Sequence, residues 1–236
     1  MQDSQAVKYR VKFSKKGALR YISHLDVMRY FQKVIRRAEI PVKYSEGFSP
    51  HQLLSFAYPL SLGYTSDGEY LDMVMTERVN EEEALRRLNE CSESGIKILA
   101  VKELDEKARN CMACVFAASY NITIREKITL PDDFCKKVID FFGQETIPVN
   151  KPKKKNGGSV LIDLKQYLYD FRMIDDRTFY ICVNSGSETN IRPDFVAGSV
   201  CEYCNVVPNE NPFYIHRVEI YENISDNENV ELRALI

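Results

Sequence analysis

Near the start of the chain, a strand pattern is followed directly by a helix pattern. This pair of predicted elements restricts the fold more than any other feature. From residue 7 to 14, apolar residues alternate with Lys and Arg, which is the period-2 pattern of a half-buried strand. Ser23 is a good helix N-cap, and Asp26 stands at the capping-box position three residues later. A helix is therefore predicted from here to about Glu39, before Pro41. Its apolar stripe holds Met28, Phe31, Ile35 and Ala38, and a basic stripe lies beside it.

The order of the predicted elements indicates an α+β fold. The first half continues with extended runs at 42–44 and 53–58, a strand at 70–75, a helix that Asn80 and Glu83 cap, and a strand at 96–104. This β-α-β-β-α-β order is typical of a ferredoxin-like unit, whose helices would cover one face of an antiparallel sheet and leave the other open.

The second half is predicted to have the same order. Strands are expected at 115–124, at 161–174 (with a break left open), at 178–184 and at 213–221, and helices at 131–142 and 193–204. We therefore predict tandem ferredoxin-like units with antiparallel sheets: an N-terminal domain, 1–107, and a C-terminal domain, 108–222. No helix or strand is predicted in the tail, 223–236.

Composition is that of an ordinary globular protein. The 236 residues are 44% hydrophobic and 28% charged. No run reaches the roughly 18 apolar residues of a membrane helix, and the first residues lack an apolar core of signal-peptide length. Seven cysteines, an odd number, argue against a disulfide framework. A cytoplasmic location is expected.

The small net charge of −2 hides an asymmetry along the chain. Residues 8–52 hold eleven Lys and Arg against three acidic residues, whereas residues 65–93 hold three against nine. Such separation can create a basic face that suits an anionic partner. The alternative is that solvated helices and loops carry these charges without any partner.

The residues from the first helix to the following loop suggest RNA binding. Aromatic rings interleaved with cations are typical of surfaces that stack RNA bases and pair with phosphates. The candidates are Arg29, Lys33, Arg36, Arg37, Lys43, Tyr44, Phe48 and His51, with Lys153 and Lys154 in a basic insert at 151–158. The alternatives are that the loop aromatics fill the core and that the insert is a solvated hairpin tip.

Two other groups of residues could take part in catalysis or metal binding. His24, beside Asp26, could move protons in RNA cleavage, or it could bond locally while Asp26 caps the helix. Two CxxC pairs could bind zinc through four thiolates, or they could be buried thiols. These pairs are Cys111 with Cys114 and Cys201 with Cys204. No cofactor is predicted.

Three runs resemble the DUF2344 family: GALRYISHLD from Gly17, RRAEIPVKYSEGFSPH from Arg36, and LSFAYPLSLGYTSDGEYLD from Leu54. The resemblance spans about 8–75, and a looser likeness continues through NIRPDFV at 190–196. Gln52 departs from the family pattern, in which a proline is common there. The resemblance implies association with radical-SAM proteins, and the pattern is distantly similar to the RAMP superfamily, which uses ferredoxin-like domains on RNA.

These observations lead to three hypotheses about function. The chain lacks the CxxxCxxC spacing that a radical-SAM enzyme needs, so radical-SAM activity would lie in a separate partner. The first hypothesis is a non-catalytic module that binds RNA or presents a substrate to that partner. The second is a metal-independent endoribonuclease that uses His24, and the third is a docking domain for the radical-SAM protein. The oligomeric state is left open.

Overall fold

The computed structural model describes residues 6–153, 157–187, 189–207, 210, 212–225 and 230–236. The chain divides into two compact units: unit 1 is Met1–Phe116 with Glu219–Ile236, and unit 2 is Ala117–Val218. Element order had placed the boundaries after residues 107 and 222. The C-terminal residues, for which the sequence predicted no helix or strand, are thus part of unit 1.

The mixed α+β class is confirmed by the elements of the described residues. The strands are β1 Val7–Lys15, β2 Leu54–Phe56, β3 Thr65–Met75, β4 Ile96–Glu103, β5 Ala117–Ile124, β6 Pro148–Pro152, β7 Ser159–Asp163, β8 Leu168–Met173, β9 Thr178–Asn184, β10 Phe213–Asn223 and β11 Leu232–Ala234. The α-helices are α1 His24–Arg37, α2 Glu81–Glu90, α3 Cys111–Cys114, α4 Phe134–Gly143 and α5 Pro193–Tyr203. No helix in the described residues combines the length and the apolar character needed to span a bilayer.

Unit 1 contains an antiparallel sheet in the order β4-β1-β3, with β2 paired to β3. With α1 and α2, this is the β-α-β-β-α-β order predicted from the sequence. Strand β3 starts at Thr65, earlier than predicted. The extended run predicted at 42–44 forms only two isolated bridges, Val42 to Met75 and Tyr44 to Gln52.

Helix α1 forms where its capping residues predict it. The Ser23 hydroxyl accepts a hydrogen bond from the Asp26 backbone N–H at 3.2 Å. The buried residues of the helix are Val27, Phe31, Val34 and Ile35. They pack in one core with the alternate residues of β1, where the Phe13 and Phe31 rings lie 4.6 Å apart. Met28, expected in the apolar stripe, is only half-buried.

The other face of the unit 1 sheet was expected to be open, but around Arg10 it is covered. Arg10 is 4% exposed, and its guanidinium donates to the backbone carbonyls of Arg109 and Leu235. Strand β11 pairs antiparallel with β10 over Tyr221–Asn223. The C-terminal residues help to cover Arg10, because the Leu235 carbonyl accepts a hydrogen bond from its guanidinium.

Gly95 is the glycine whose replacement is expected to disturb the unit 1 fold most. Its φ is 102°, and a Cβ there would lie 2.8 Å from the Lys16 carbonyl oxygen and 3.2 Å from Leu19 Cγ. We expect Gly95→Ala to lower the free energy of unfolding by about 1–3 kcal/mol, measured by urea denaturation. Gly63→Ala is the matched control, because Gly63 also has positive φ (83°) but has no atom within 4 Å of the added Cβ. Equal losses in the two variants would contradict the role assigned to the close contact.

Unit 2 has the strand order β10-β5-β9-β8, to which β10 contributes residues 213–218. The element order in this unit is β5-α4-β6-β7-β8-β9-α5-β10, which departs from the predicted β-α-β-β-α-β order by two additional strands, β6 and β7. The predicted strand at 161–174 is broken into β7, a short 3₁₀ helix and β8. Strands β6 and β7 form a separate antiparallel hairpin, and α5 begins at Pro193 as predicted.

Candidate functional site

The basic stripe of α1 lies on the exposed side of the helix. Its members are Arg29, Lys33, Arg36 and Arg37, all of them exposed. Arg37 donates to the backbone carbonyl of Cys91 at 2.7 Å, and Arg29 has a weak contact of 3.4 Å with an acid one turn before it. Within the described residues, Lys33 and Arg36 have no ion pair or side-chain hydrogen bond. The charge of these two cations is therefore available to a ligand.

The loop after α1 is a closed hairpin that holds its aromatic rings outward. The Ser45 N–H donates to the His51 carbonyl at 2.8 Å, and the Ser45 hydroxyl lies 2.8 Å from His51 Nδ1. Gly47 provides the turn with a φ of 103°. Phe48 is fully exposed at the tip, and Tyr44 is 45% exposed. The alternative in which these aromatics fill the core is therefore wrong for Phe48.

Gln52 connects this loop to α1. Its side-chain Nε2 donates to the Gln32 backbone carbonyl and to the Tyr44 hydroxyl, each at 3.3 Å. Gln52 is 6% exposed, so both bonds are shielded from water. The hydrogen bond to Gln32 places the loop beside α1, and the exposed residues of helix and loop are together called the basic–aromatic surface. This basic–aromatic surface consists of Arg29, Lys33, Arg36, Arg37, Lys43, Tyr44, Phe48 and His51.

The cation-rich segment 8–52 contributes to the surface only in part. Arg10 and Lys15 are buried, and Lys12 forms an ion pair with Glu219. In the acidic segment 65–93, Glu69 and Asp72 are buried as well. Counting charges along the sequence therefore overstated the separation of positive from negative charge on the surface. Several of these charges belong to strand residues that neutralise one another in the interior.

A buried polar cluster in unit 1 was missed by the sequence analysis. Arg10 makes a bidentate pair with Asp72, in which Nε and Nη2 donate at 2.7 and 3.0 Å. The Cys111 backbone N–H also donates to Asp72, at 2.7 Å. Burial acts to lower the pKa of Arg10, but the hydrogen bonds and charge of Asp72 outweigh it and leave that pKa raised.

The cluster continues to the next residues along the sheet face. Tyr70 donates to Glu219 at 2.7 Å, and Glu219 also accepts from Lys12. Burial, together with the charge of Glu219 and this hydrogen bond, raises the pKa of Tyr70. The sequence feature that could have indicated this cluster is the alternation of β1, which places Arg10 and Lys12 on the same face of the sheet. The register that sets Asp72 opposite Arg10 depends on β3 pairing with β1.

His24, the first residue of α1, is half-buried and does not belong to the basic–aromatic surface. Its ring packs edge-on against Phe56 at 5.5 Å. It lines a cavity of about 20 Å³ with Lys15 and Glu69, enough for one water molecule. Burial, and then the charge of Lys15, lower the pKa of His24. This cavity is too small to admit a ribose phosphate, so no observation favours the endoribonuclease hypothesis.

The two CxxC pairs consist of buried thiols. All four cysteines lie in the described residues, where no three His, Cys, Asp or Glu side chains gather as metal ligands. Burial raises the pKa of Cys111 to about 12 and those of Cys201 and Cys204 to about 11, and it raises the pKa of Cys114 as well. Burial therefore favours the neutral thiol at each of these positions.

The basic insert, residues 151–158, lies in unit 2, whereas the basic–aromatic surface belongs to unit 1. Lys153 is exposed and follows β6, and its backbone N–H donates to the Gly158 carbonyl at 3.1 Å. Lys154, also predicted to bind RNA, lies outside the described residues.

Fold and site together define an α+β protein with an exposed basic–aromatic surface. The chain belongs to the family described as an uncharacterised protein conserved in bacteria (DUF2344), whose model matches residues 8–193. No curated protein matches the sequence at a significant level.

Solved structures that are similar to the chain include the following two. A chain in the crystal structure of a Cbf5-Nop10-Gar1 complex is 12% identical, with a TM-score of 0.47, and the match covers 90% of this chain and 48% of that one. The crystal structure of an unknown protein from Galdieria sulphuraria is 9% identical, with a TM-score of 0.28, over 91% of this chain and 99% of that one. Both TM-scores are below 0.5 and support no argument about function.

Proposed function

We propose that this protein is a non-catalytic module that binds single-stranded RNA on the basic–aromatic surface and presents it to a separate radical-SAM enzyme. The observation that supports RNA binding is the exposure of all eight members of this surface. The enzyme partner is supported by the family resemblance of the sequence.

Electrostatic attraction to the phosphate backbone provides the first part of the mechanism. Lys33 and Arg36 hold exposed charges that no described acidic side chain neutralises. Cations of this kind release counterions when they contact phosphates, which gives sequence-independent affinity. Arg37 and Arg29 add charge beside them on the same helix. Binding of this type would tolerate many RNA sequences and weaken as salt increases.

Base stacking provides the second part. A Phe ring in water gains no burial energy from the fold, so the exposed Phe48 contributes little to stability. It offers both faces to a base, and stacking on an aromatic side chain is worth about 1–3 kcal/mol per base. Tyr44 and His51 supply two further rings, and the hydrogen bonds of Ser45 and Gln52 hold them in place. The loop is thus organised before RNA arrives.

Phe48→Ala is expected to weaken RNA binding by roughly 5- to 150-fold, the equivalent of about 1–3 kcal/mol. The measurement is fluorescence anisotropy with labelled 12-nucleotide oligo(A) and oligo(U) at low salt. The dependence of affinity on salt should stay as in the wild type, because no charge is removed. Val207→Ala is the control, since Val207 is an 89% exposed apolar residue in unit 2.

Two results would contradict the proposal. The first is absence of RNA binding by the wild-type protein at low salt. The second is equal affinity of the Phe48→Ala and wild-type proteins. Co-purification with a radical-SAM protein that persists after nuclease treatment, combined with no RNA binding, would favour the docking-domain hypothesis.

A further inference from the structure

Unit 2 contains a cavity of about 540 Å³ that neither the RNA surface nor the core requires. Small-molecule sites have volumes of about 300–1,000 Å³ and usually combine apolar walls with a few polar groups. The lining comes from the β6–β7 hairpin, the 3₁₀ helix before β8, the turn after β9 and the start of α5. Four separate segments therefore converge on one space large enough for a nucleotide.

Among the residues that the structure describes, the charged side chains that line this cavity are all cations. They are Lys151, Lys153 and Arg192, and none of the described lining residues is acidic. Arg192 forms an ion pair with Asp194, whose Oδ2 lies 3.5 Å from a guanidinium nitrogen. The Arg192 side chain keeps 59% of its surface exposed. Guanidinium N–H groups therefore remain that could donate hydrogen bonds to a ligand. An anionic group is the ligand that this lining favours.

The same cavity has an aromatic and apolar part. Tyr167 and Phe195 line it and are both half-buried, so each has ring surface left to contact a ligand. Val160 and Ile162 of β7 add aliphatic contacts. A ligand with a planar ring at one end and an anion at the other would satisfy both parts. Aromatic stacking and cationic pairing are the contacts that nucleotides make with proteins.

Neutral donors supplement the cations. Ser187, Thr189 and Asn190 line the cavity, and α5 begins beside them without a side-chain N-cap bond. Its first backbone N–H groups have no partner within the helix. These groups add neutral donors to the cations around the cavity.

We propose that the unit 2 cavity binds a nucleoside phosphate, with the phosphate at Lys151, Lys153 and Arg192 and the base against Tyr167 and Phe195. The nucleotide can be free or can be the 5′-phosphorylated end of an RNA, since both offer the same chemistry. This proposal does not depend on the basic–aromatic surface, because all of its residues lie in unit 2.

The test is isothermal titration calorimetry of the full chain with AMP, adenosine and inorganic phosphate. AMP is expected to bind at least tenfold more tightly than adenosine or phosphate. Arg192→Gln and Lys153→Gln should each weaken AMP binding by about 12- to 150-fold, the equivalent of about 1.5–3 kcal/mol for one charged hydrogen bond. Tyr167→Leu should weaken AMP binding but leave phosphate binding unchanged. Lys136→Gln is the matched control, because Lys136 is an exposed cation of unit 2 outside the cavity.

The outcomes separate this proposal from the proposed RNA function. No heat with millimolar AMP and with a 5′-phosphorylated oligonucleotide, or equal losses in the Arg192→Gln and Lys136→Gln variants, would overturn it. Binding of adenosine as tight as that of AMP would also overturn it, since the cations would then have no role. If the 5′-phosphorylated oligonucleotide binds more tightly than AMP, and Phe48→Ala leaves that difference unchanged, an RNA end is the source of the nucleotide.

Discussion

Replacing Asp72 with Ala is expected to lower the free energy of unfolding by about 3–5 kcal/mol, because the change leaves the buried Arg10 charge without its partner. The two side chains are only 5% and 8% exposed, so water cannot replace the lost carboxylate. The Cys111 backbone N–H loses its acceptor as well. Urea denaturation of the full chain, followed by circular dichroism, measures the loss.

A surface ion pair in the same unit serves as the control. Arg86 and Glu90 approach to 2.6 Å with both side chains more than half exposed, and such pairs contribute little to stability. Glu90→Gln should therefore change the unfolding midpoint far less than Asp72→Ala. The double variant Arg10→Met with Asp72→Leu should be more stable than Asp72→Leu alone, since it removes the orphaned charge. Equal midpoints for Asp72→Ala and Glu90→Gln would contradict the role assigned to the buried pair.

Removing two charges from α1 is expected to weaken RNA binding roughly tenfold at low salt and to make it less sensitive to salt. The change is Lys33→Gln with Arg36→Gln, the two cations that lack described partners. For single strands each neutralised phosphate contributes about 0.7 to the slope of log affinity against log salt. The slope should therefore fall by about 1.4 if both cations contact phosphate. Anisotropy titrations at several salt concentrations measure it.

The control for this prediction has the same charge change elsewhere in unit 1. Lys97 and Lys107 are exposed and lie outside α1 and the aromatic loop. Lys97→Gln with Lys107→Gln alters net charge by the same amount, so it reports any general effect of charge. An equal loss of affinity and slope in both double variants would show that binding depends on overall charge and would refute a localised surface.

The sequence by itself predicted those features that depend on neighbours in the chain. The Ser23 and Asn80 caps begin α1 and α2 where expected, because a cap bonds to backbone only three residues away. Strand β9 has the predicted bounds, and α5 begins at Pro193. The exposure of the α1 cations followed from the helical period in the same way. These features are set by local geometry and periodicity.

Tertiary structure decided the features that join distant segments. Arg10 contacts Leu235, 225 positions away in the chain, and no periodicity within either segment specifies that contact. The face predicted to be open is covered there, and cations counted toward a basic face are neutralised in the interior. The four segments of the unit 2 cavity likewise meet only after the strands have paired. Local patterns determine which elements form, whereas strand pairing determines which charges are buried together and which remain for a ligand.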